Sequence, residues 1–117
     1  MKKNVIAEKS KMFALRIVKM YQYLTAEKKE FILSRQVLKS GTSIGANVRE
    51  AIRGQTRADF YAKLNISLKE ASETEYWLEL LYESGYIDKV QFDSIYTDCQ
   101  EIISILVSIT KTQKNDI

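Results

Sequence analysis

Residues 37–51 read VLKSGTSIGANVREA, and this stretch decides the fold class. Apolar or small side chains recur in it in steps of four and three: Val37, Gly41, Ile44, Val48 and Ala51. That rhythm is the period of one face of an α-helix. Six of the seven residues from 40 to 46 are small, although each helical glycine costs about 1 kcal/mol relative to alanine. We therefore predict a helix whose backbone is closely approached, by a neighbouring helix or alternatively by a nucleic-acid backbone or a partner chain.

The whole chain shares this helical character. It has 117 residues, no proline and four glycines, so few residues can interrupt a helix. We predict helices at about 4–24, 28–53, 57–84 and 88–112, with a polar, frayed tail. The signals that place their ends are Asn4, Gly54, Thr56 with Asp59, Gly85, and Asp88 with Gln91. Short connections favour an all-α, antiparallel up-down-up-down four-helix bundle that forms a single domain over residues 1–117.

Composition narrows the class of protein. With 45% hydrophobic and 28% charged residues, the chain can bury one core without a disulfide, and its single cysteine, Cys99, cannot form one within the chain. The apolar stretch 102–109 is too short to span a bilayer, and the basic start lacks the apolar run of a signal peptide. We expect a cytoplasmic protein without a membrane partner.

Familiar enzyme chemistry is missing from the sequence. There is no histidine, the commonest acid–base catalyst and zinc ligand. Cys99 falls on the apolar stripe of the fourth helix, where a packed thiol is expected rather than a nucleophile. We therefore predict no catalytic residue, no metal and no cofactor, and a protein that is not an enzyme.

Charge is distributed unevenly along the chain. Residues 1–57 carry a net charge of +9, and residues 58–117 carry −6. An anionic partner for the first half would explain this split, as would oppositely charged faces that meet within the fold or between subunits. The sequence leaves both explanations open.

Two groups of basic residues are candidates for binding RNA or DNA. Lys2, Lys9 and Arg16 recur every seven residues on the first helix, and Arg49, Arg53 and Arg57 cluster around the end of the second. Such groups can bind phosphates with an affinity that falls steeply with salt. The alternative is an ordinary solvated surface, because no recognised nucleic-acid motif is present.

Apolar residues outside the helical stripes predict self-association. The candidate interface residues are Met12, Leu15, Val18, Trp77, Leu80, Ile103 and Val107. Tryptophan is enriched at the cores of protein interfaces. A broad core stripe with a few exposed aliphatic side chains is the alternative, since folded surfaces are largely apolar.

Glu75 falls between Ala71 and Leu78 on the apolar stripe of the third helix, where an unpaired carboxylate would be costly to bury. If the second and third helices fold back near residue 55, Arg35 lies level with Glu75. We hypothesise an Arg35–Glu75 ion pair that fixes helix register. The alternative is a slightly rotated helix with Glu75 in solvent.

Two stretches resemble a known bacterial family. Residues 33–51 (LSRQVLKSGTSIGANVREA) and 59–81 (DFYAKLNISLKEASETEYWLELL) are similar to four-helix bundle proteins related to those encoded in intervening sequences of large-subunit rRNA genes. The resemblance implies a ring-like homopentamer with a proposed role in binding nucleic acid. A more distant similarity links the chain to the accessory proteins of diversity-generating retroelements, pentameric bundles that bind a reverse transcriptase and nucleic acid.

The resemblance also implies roles for particular residues. Structural polar residues of the family pattern would be Ser43, Asn47, Glu50, Glu70 and Glu75. Arg49 and Arg53 stand where relatives more often have acidic or small residues, so a basic site here would be peculiar to this chain. The leading interpretation is a non-enzymatic oligomer that binds nucleic acid. The alternative is a protein-binding scaffold or accessory subunit, such as a reverse-transcriptase partner.

Overall fold

The computed structural model describes the backbone of residues 2–115 and the side chains of residues 5–113. Within that range the chain forms four α-helices and no strand: α1 (Lys2–Ala26), α2 (Leu33–Ile52), α3 (Arg57–Glu83) and α4 (Lys89–Asn115). The described helices pack into a body of 48 × 21 × 21 Å. The all-α prediction is confirmed.

One apolar core draws residues from all four helices. Each helix packs against its neighbour in sequence, and α1 also contacts α4. Contacts between α2 and α3 follow opposite directions: Ser40 of α2 pairs with Thr74 of α3, whereas Ile44, further along α2, pairs with the earlier Ser67. Lys9 and Arg16 of α1 likewise contact successively earlier residues of α4.

The apolar stripe predicted for α2 is buried at all five positions. The stripe on α3 is rotated, because the spacing predicts Leu68 and Glu75 on the buried side together with Ala71 and Leu78. Ser67 and Thr74 occupy buried positions there, and Glu75 is only half-buried. The hydroxyl oxygens of Thr74 and Ser40 share a hydrogen bond of 2.9 Å, and Ser67 Oγ donates to the Ile44 carbonyl at 2.8 Å. Burying these hydroxyls is tolerable because each has a hydrogen-bond partner.

The small residues of α2 allow α1 to approach. A Cβ atom added to Gly41 would lie 2.8 Å from Ile17 Cγ1, and one added to Gly45 would lie 3.3 Å from the Ser10 carbonyl oxygen. Both distances are shorter than an ordinary van der Waals contact. The expectation that a neighbouring helix approaches this backbone is confirmed.

Beyond residue 53, the boundaries of the helices agree with the capping signals in the sequence. Thr56 Oγ1 accepts the Asp59 N–H, and Asp88 and Gln91 cap each other reciprocally. Gly85, at φ +86°, follows α3 in the left-handed conformation that glycine adopts freely. Helix α1 already includes Lys2, so Asn4 lies within the helix and is not its N-cap as predicted; the Asn4 side chain lies outside the described residues. Helix α4 continues to Asn115, beyond the predicted end near 112.

Helix α2 begins at Leu33, five residues later than predicted. Glu30 lies just before it and is only 8% exposed. Its carboxylate accepts the N–H groups of Ile32, Leu33 and Ser34 at 3.1, 2.9 and 2.7 Å, so it satisfies the free donors of the first turn. Burial alone would raise the pKa of Glu30, but these bonds to the ionised form outweigh it and lower the pKa from 4.5.

Candidate nucleic-acid interface

The basic residues predicted on the first helix are largely engaged within the fold. Lys9 forms an ion pair with Glu101 of α4, and its hydrogen bond to that carboxylate raises the pKa of Lys9. Arg16 pairs with Asp98 and also donates to Ser94 Oγ at 2.8 Å. The Lys2 side chain lies outside the described residues. Lys9 and Arg16 therefore join α1 to α4 instead of presenting free cations, and part of the charge asymmetry is balanced inside the molecule.

A groove of about 840 Å³ lies between α1 and α2 and reaches the start of α3. We call it the basic groove. The small residues along it are Ala7, Ala14, Thr42, Gly45, Ala46 and Gly54. Because short side chains fill the contact between α1 and α2, they leave the surface above it concave.

Cations outnumber acids around the basic groove. Four basic residues line it, Lys11, Arg49, Arg53 and Lys63, against the two acids Glu50 and Asp59. Lys63 pairs with Glu50 at 2.9 Å. Among the described residues, the side chains of Lys11, Arg49 and Arg53 form no ion pair or hydrogen bond. The groove therefore has three cations without an ion-pair partner and an excess of two positive charges over its acids.

Two of these three groups were predicted from the sequence. Arg49 and Arg53 lie together as predicted, Arg49 in the last turn of α2 and Arg53 at its C-cap. Arg57 is separate: it lines a second cavity of about 450 Å³ beside Phe60 and Tyr61, and it already interacts with other residues. Lys11 was not predicted, because Arg49 and Arg53, which line the same groove, are distant from it in sequence. The sequence signal that could have identified Lys11 is its position between Ala7 and Ala14, on a side of α1 where small residues allow close packing.

The hypothesised ion pair between Arg35 and Glu75 is not formed. Arg35 is exposed, and α3 is turned so that Thr74 meets α2. Glu75 lies near α4, where its charge helps to raise the pKa of Tyr96, after the larger effect of the Tyr96 hydrogen bond to Glu79. Burial is the main cause that raises the pKa of the Cys99 thiol to about 12, with Glu75 again adding to it.

The other polar residues of the family pattern make mainly local bonds. Ser43 Oγ donates to the Lys39 carbonyl at 2.7 Å, and Asn47 Nδ2 donates to the Ser43 carbonyl at 2.9 Å. Glu50 holds Lys63 across the α2–α3 contact. For Glu70 the contact is through the backbone, since its carbonyl accepts the Thr74 hydroxyl at 2.8 Å.

The candidate interface residues differ in exposure. Met12 is 67% exposed, Leu15 57% and Val107 45%. The others are half-buried: Val18, Trp77, Leu80 and Ile103. Trp77 Nε1 donates to Glu73 at 3.1 Å, so its polar edge has a partner while part of its ring contacts the core.

None of the helices within the described residues combines the length and the apolar character that a membrane span requires. No group of three or more histidine, cysteine, aspartate or glutamate residues in that range is placed to hold a metal ion.

Comparison with known proteins identifies a family model and a solved structure that match this chain. A family model described as "23S rRNA-intervening sequence protein" matches residues 2–108. A crystal structure of a protein with unknown function from the S23 ribosomal protein family of Bacteroides thetaiotaomicron VPI-5482 is 59% identical. It superimposes with a TM-score of 0.94, and the match covers 96% of this chain and 100% of that one. No curated protein matches the chain significantly.

Proposed function

The chain belongs to the family of 23S rRNA-intervening sequence proteins, and on that premise we propose that it is a non-enzymatic, oligomeric protein that binds nucleic acid through the basic groove. The ligand is the phosphate backbone of RNA or DNA. The groove, and not the first-helix stripe of Lys9 and Arg16, provides the contact.

One observation carries this proposal: Arg49, Arg53 and Lys11 converge on one concave surface without an acidic partner among the described residues. Guanidinium groups match phosphate oxygens with two parallel hydrogen bonds, so a pair of arginines is suited to a phosphate backbone. Unpaired cations in a groove also raise the local concentration of a polyanion. Both effects favour nucleic acid over an uncharged ligand.

The proposal includes the assembly implied by the family resemblance. The reversed order of contacts between α2 and α3 supports the antiparallel up-down-up-down arrangement. Exposed Met12, Leu15 and Val107 support a homo-oligomer, since large apolar side chains on a surface gain free energy by burial in a subunit interface. We propose a homopentamer on the family resemblance alone.

A protein-binding scaffold is the second candidate function. Phe31, Ile32 and Val90 are also exposed, in and beside the two loops that precede α2 and α4. These side chains offer apolar surface apart from the basic groove. An accessory subunit that binds a reverse transcriptase or another protein there would need no nucleic-acid affinity of its own.

Fluorescence anisotropy with a labelled single-stranded RNA tests the proposal. The variant is Arg49→Gln/Arg53→Gln, and the matched control is Lys19→Gln/Lys69→Gln, which removes two exposed charges from α1 and α3. We expect the arginine variant to lose at least about tenfold in affinity at moderate salt, because each phosphate contact contributes a counterion-release term. The control should change affinity by less than about twofold.

Two results would reject the proposal. One is a wild-type protein that binds no RNA or DNA even at low salt, which would leave the scaffold function as the better candidate. The other is an equal loss of affinity in the arginine variant and the control, because the groove would then have no special role.

A further inference from the structure

The outer face of α2 carries more cations than those in the basic groove. Residues at steps of four and three from Arg35 lie on one helical face, and the C-cap residue Arg53 continues the row: Arg35, Lys39, Thr42, Ala46, Arg49 and Arg53. The buried residues of α2 lie on the opposite face. We call the four basic members of this row the α2 basic stripe.

The α2 basic stripe is continuous with the groove. Thr42 and Ala46, which lie between its two halves, also line the groove beside Arg49 and Arg53. They are short, so nothing on α2 rises between Lys39 and Arg49. A ligand that lies along the groove can therefore extend towards Arg35 without crossing a bulky α2 side chain.

The four cations of the α2 basic stripe have no acidic partner among the described residues. None of the side chains of Arg35, Lys39, Arg49 and Arg53 forms an ion pair or hydrogen bond with another described residue. The single acid of α2, Glu50, is paired with Lys63. By contrast, the α1 cations Lys9 and Arg16 have acidic partners.

The dimensions suit a strand of nucleic acid. Eighteen residues separate Arg35 from Arg53, which corresponds to roughly 27 Å at the rise of an α-helix. A stacked strand rises about 3.4 Å per nucleotide, so the stripe spans about eight nucleotides. The spacing between Arg49 and Arg53, roughly 6 Å along the axis, allows each to reach a different phosphate.

Resting on the proposed function, we infer that the strand bound in the groove continues along α2, and that Lys39 and Arg35 bind its phosphates. Helix α2 is then a track for one extended strand. The ligand class becomes a single strand of about eight nucleotides or more, recognised by its backbone rather than its bases. The groove lining contains no aromatic side chain on which a base could stack.

Oligonucleotide length separates this inference from the proposed function. Anisotropy titrations use single-stranded RNAs of roughly four and roughly twelve nucleotides, shorter and longer than the stripe. The variant is Arg35→Gln/Lys39→Gln, and the control is again Lys19→Gln/Lys69→Gln. We expect the variant to weaken binding of the long RNA by about tenfold and to leave the short RNA within about twofold of wild type.

The other possible results separate failure of the inference from failure of the proposed function. If the long RNA binds the variant as well as it binds the control, the inference is overturned and the proposed function stands. An equal loss for both RNA lengths also overturns it, because Arg35 and Lys39 would then act only through overall charge. If wild type binds neither RNA, the proposed function and the inference fail together. Circular dichroism melting of each variant confirms that these exposed substitutions leave the helices folded.

Discussion

A single buried carboxylate, Glu30, determines where α2 begins. Lys28, Lys29 and Glu30 look like the first turn of a charged helix, and no proline or glycine interrupts them. Lys29 nevertheless takes φ +55°, and Glu30 uses its side chain to cap residues 32–34. Glutamate is not among the favoured N-cap residues, so the sequence carries no standard signal for this arrangement.

We predict that Glu30→Gln destabilises the protein by about 1–2 kcal/mol at neutral pH, because a neutral amide is a weaker acceptor for the three N–H donors. Since the pKa of Glu30 is lowered in the folded state, its contribution is present above the unfolded value of 4.5 and is lost as pH falls through the folded pKa. Urea unfolding of wild type and variant at pH 7 and at successively lower pH measures this.

The control for this prediction is Glu27→Gln, an exposed glutamate in the same loop. It should change the free energy of unfolding little at either pH. A difference between wild type and Glu30→Gln that stays constant down to strongly acidic pH would contradict the assignment of the effect to the ionised carboxylate.

Gly41 is a second residue with a definite steric role. An added Cβ would meet Ile17, which is fully buried and β-branched and so has little freedom to move. We predict that Gly41→Ala destabilises by about 1–3 kcal/mol from overpacking, despite the roughly 1 kcal/mol gain in helix propensity. Ile17→Ala removes all three atoms that an added Cβ would meet, so the loss in the double variant Gly41→Ala/Ile17→Ala should be smaller than the sum of the two single losses in urea unfolding. A stabilised Gly41→Ala would refute the close contact.

At the scale of elements, the two sides of α1 have different roles. Lys9 and Arg16 face α4 and are paired, whereas Lys11 faces the basic groove. The seven-residue spacing correctly places Lys9 and Arg16 on one side of the helix, whereas the Lys2 side chain lies outside the described residues. It could not show that Asp98 and Glu101 occupy the facing side of α4, because that depends on how distant helices pack.

We predict that the charge-balanced variant Arg16→Gln/Asp98→Asn leaves RNA affinity within about twofold of wild type, because the net charge is unchanged and no groove residue is removed. Exposed ion pairs contribute little to stability, so the helices should remain folded. Anisotropy against the same labelled RNA measures the affinity. A loss of RNA affinity comparable to that of Arg49→Gln/Arg53→Gln would contradict this prediction and place RNA binding on the side of α1 that carries Arg16.

Apolar spacing predicted most of the core, and the exceptions have physical causes. The stripe on α2 is buried as predicted, but on α3 the hydroxyls of Ser67 and Thr74 replace Leu68 and Glu75 at the centre. Hydrophobicity alone ranks leucine above serine for burial. The partners that make Ser67 and Thr74 acceptable in the core, Ile44 and Ser40, become visible only when α2 and α3 are packed together.

At the scale of the molecule, both explanations of the charge asymmetry have a place. Acids of α4 neutralise part of α1, while the α2 basic stripe remains uncompensated. The sequence could show the excess of positive charge in the first half, and it identified Arg49 and Arg53. It could not distinguish paired from unpaired cations, nor bring Lys11 to the same groove, because both depend on tertiary contacts.

We predict that Met12→Glu lowers the oligomeric state, because a carboxylate placed in an apolar subunit interface would lose its hydration without a partner. In an isolated subunit the same change is tolerated, since Met12 is largely exposed. The control is Val90→Glu, at an exposed apolar position outside the candidate interface. Light scattering after size-exclusion chromatography gives the mass of each protein. Identical masses for wild type and Met12→Glu would remove Met12 from the interface.

The salt dependence of RNA binding tests the central claim most directly. The measurement is the slope of log K against log salt concentration for wild type and Arg49→Gln/Arg53→Gln. If both arginines contact phosphates of a single strand, the slope of the variant should be shallower by about 1.4, or about 0.7 for each lost contact. Equal slopes for the two proteins would contradict phosphate binding in the basic groove.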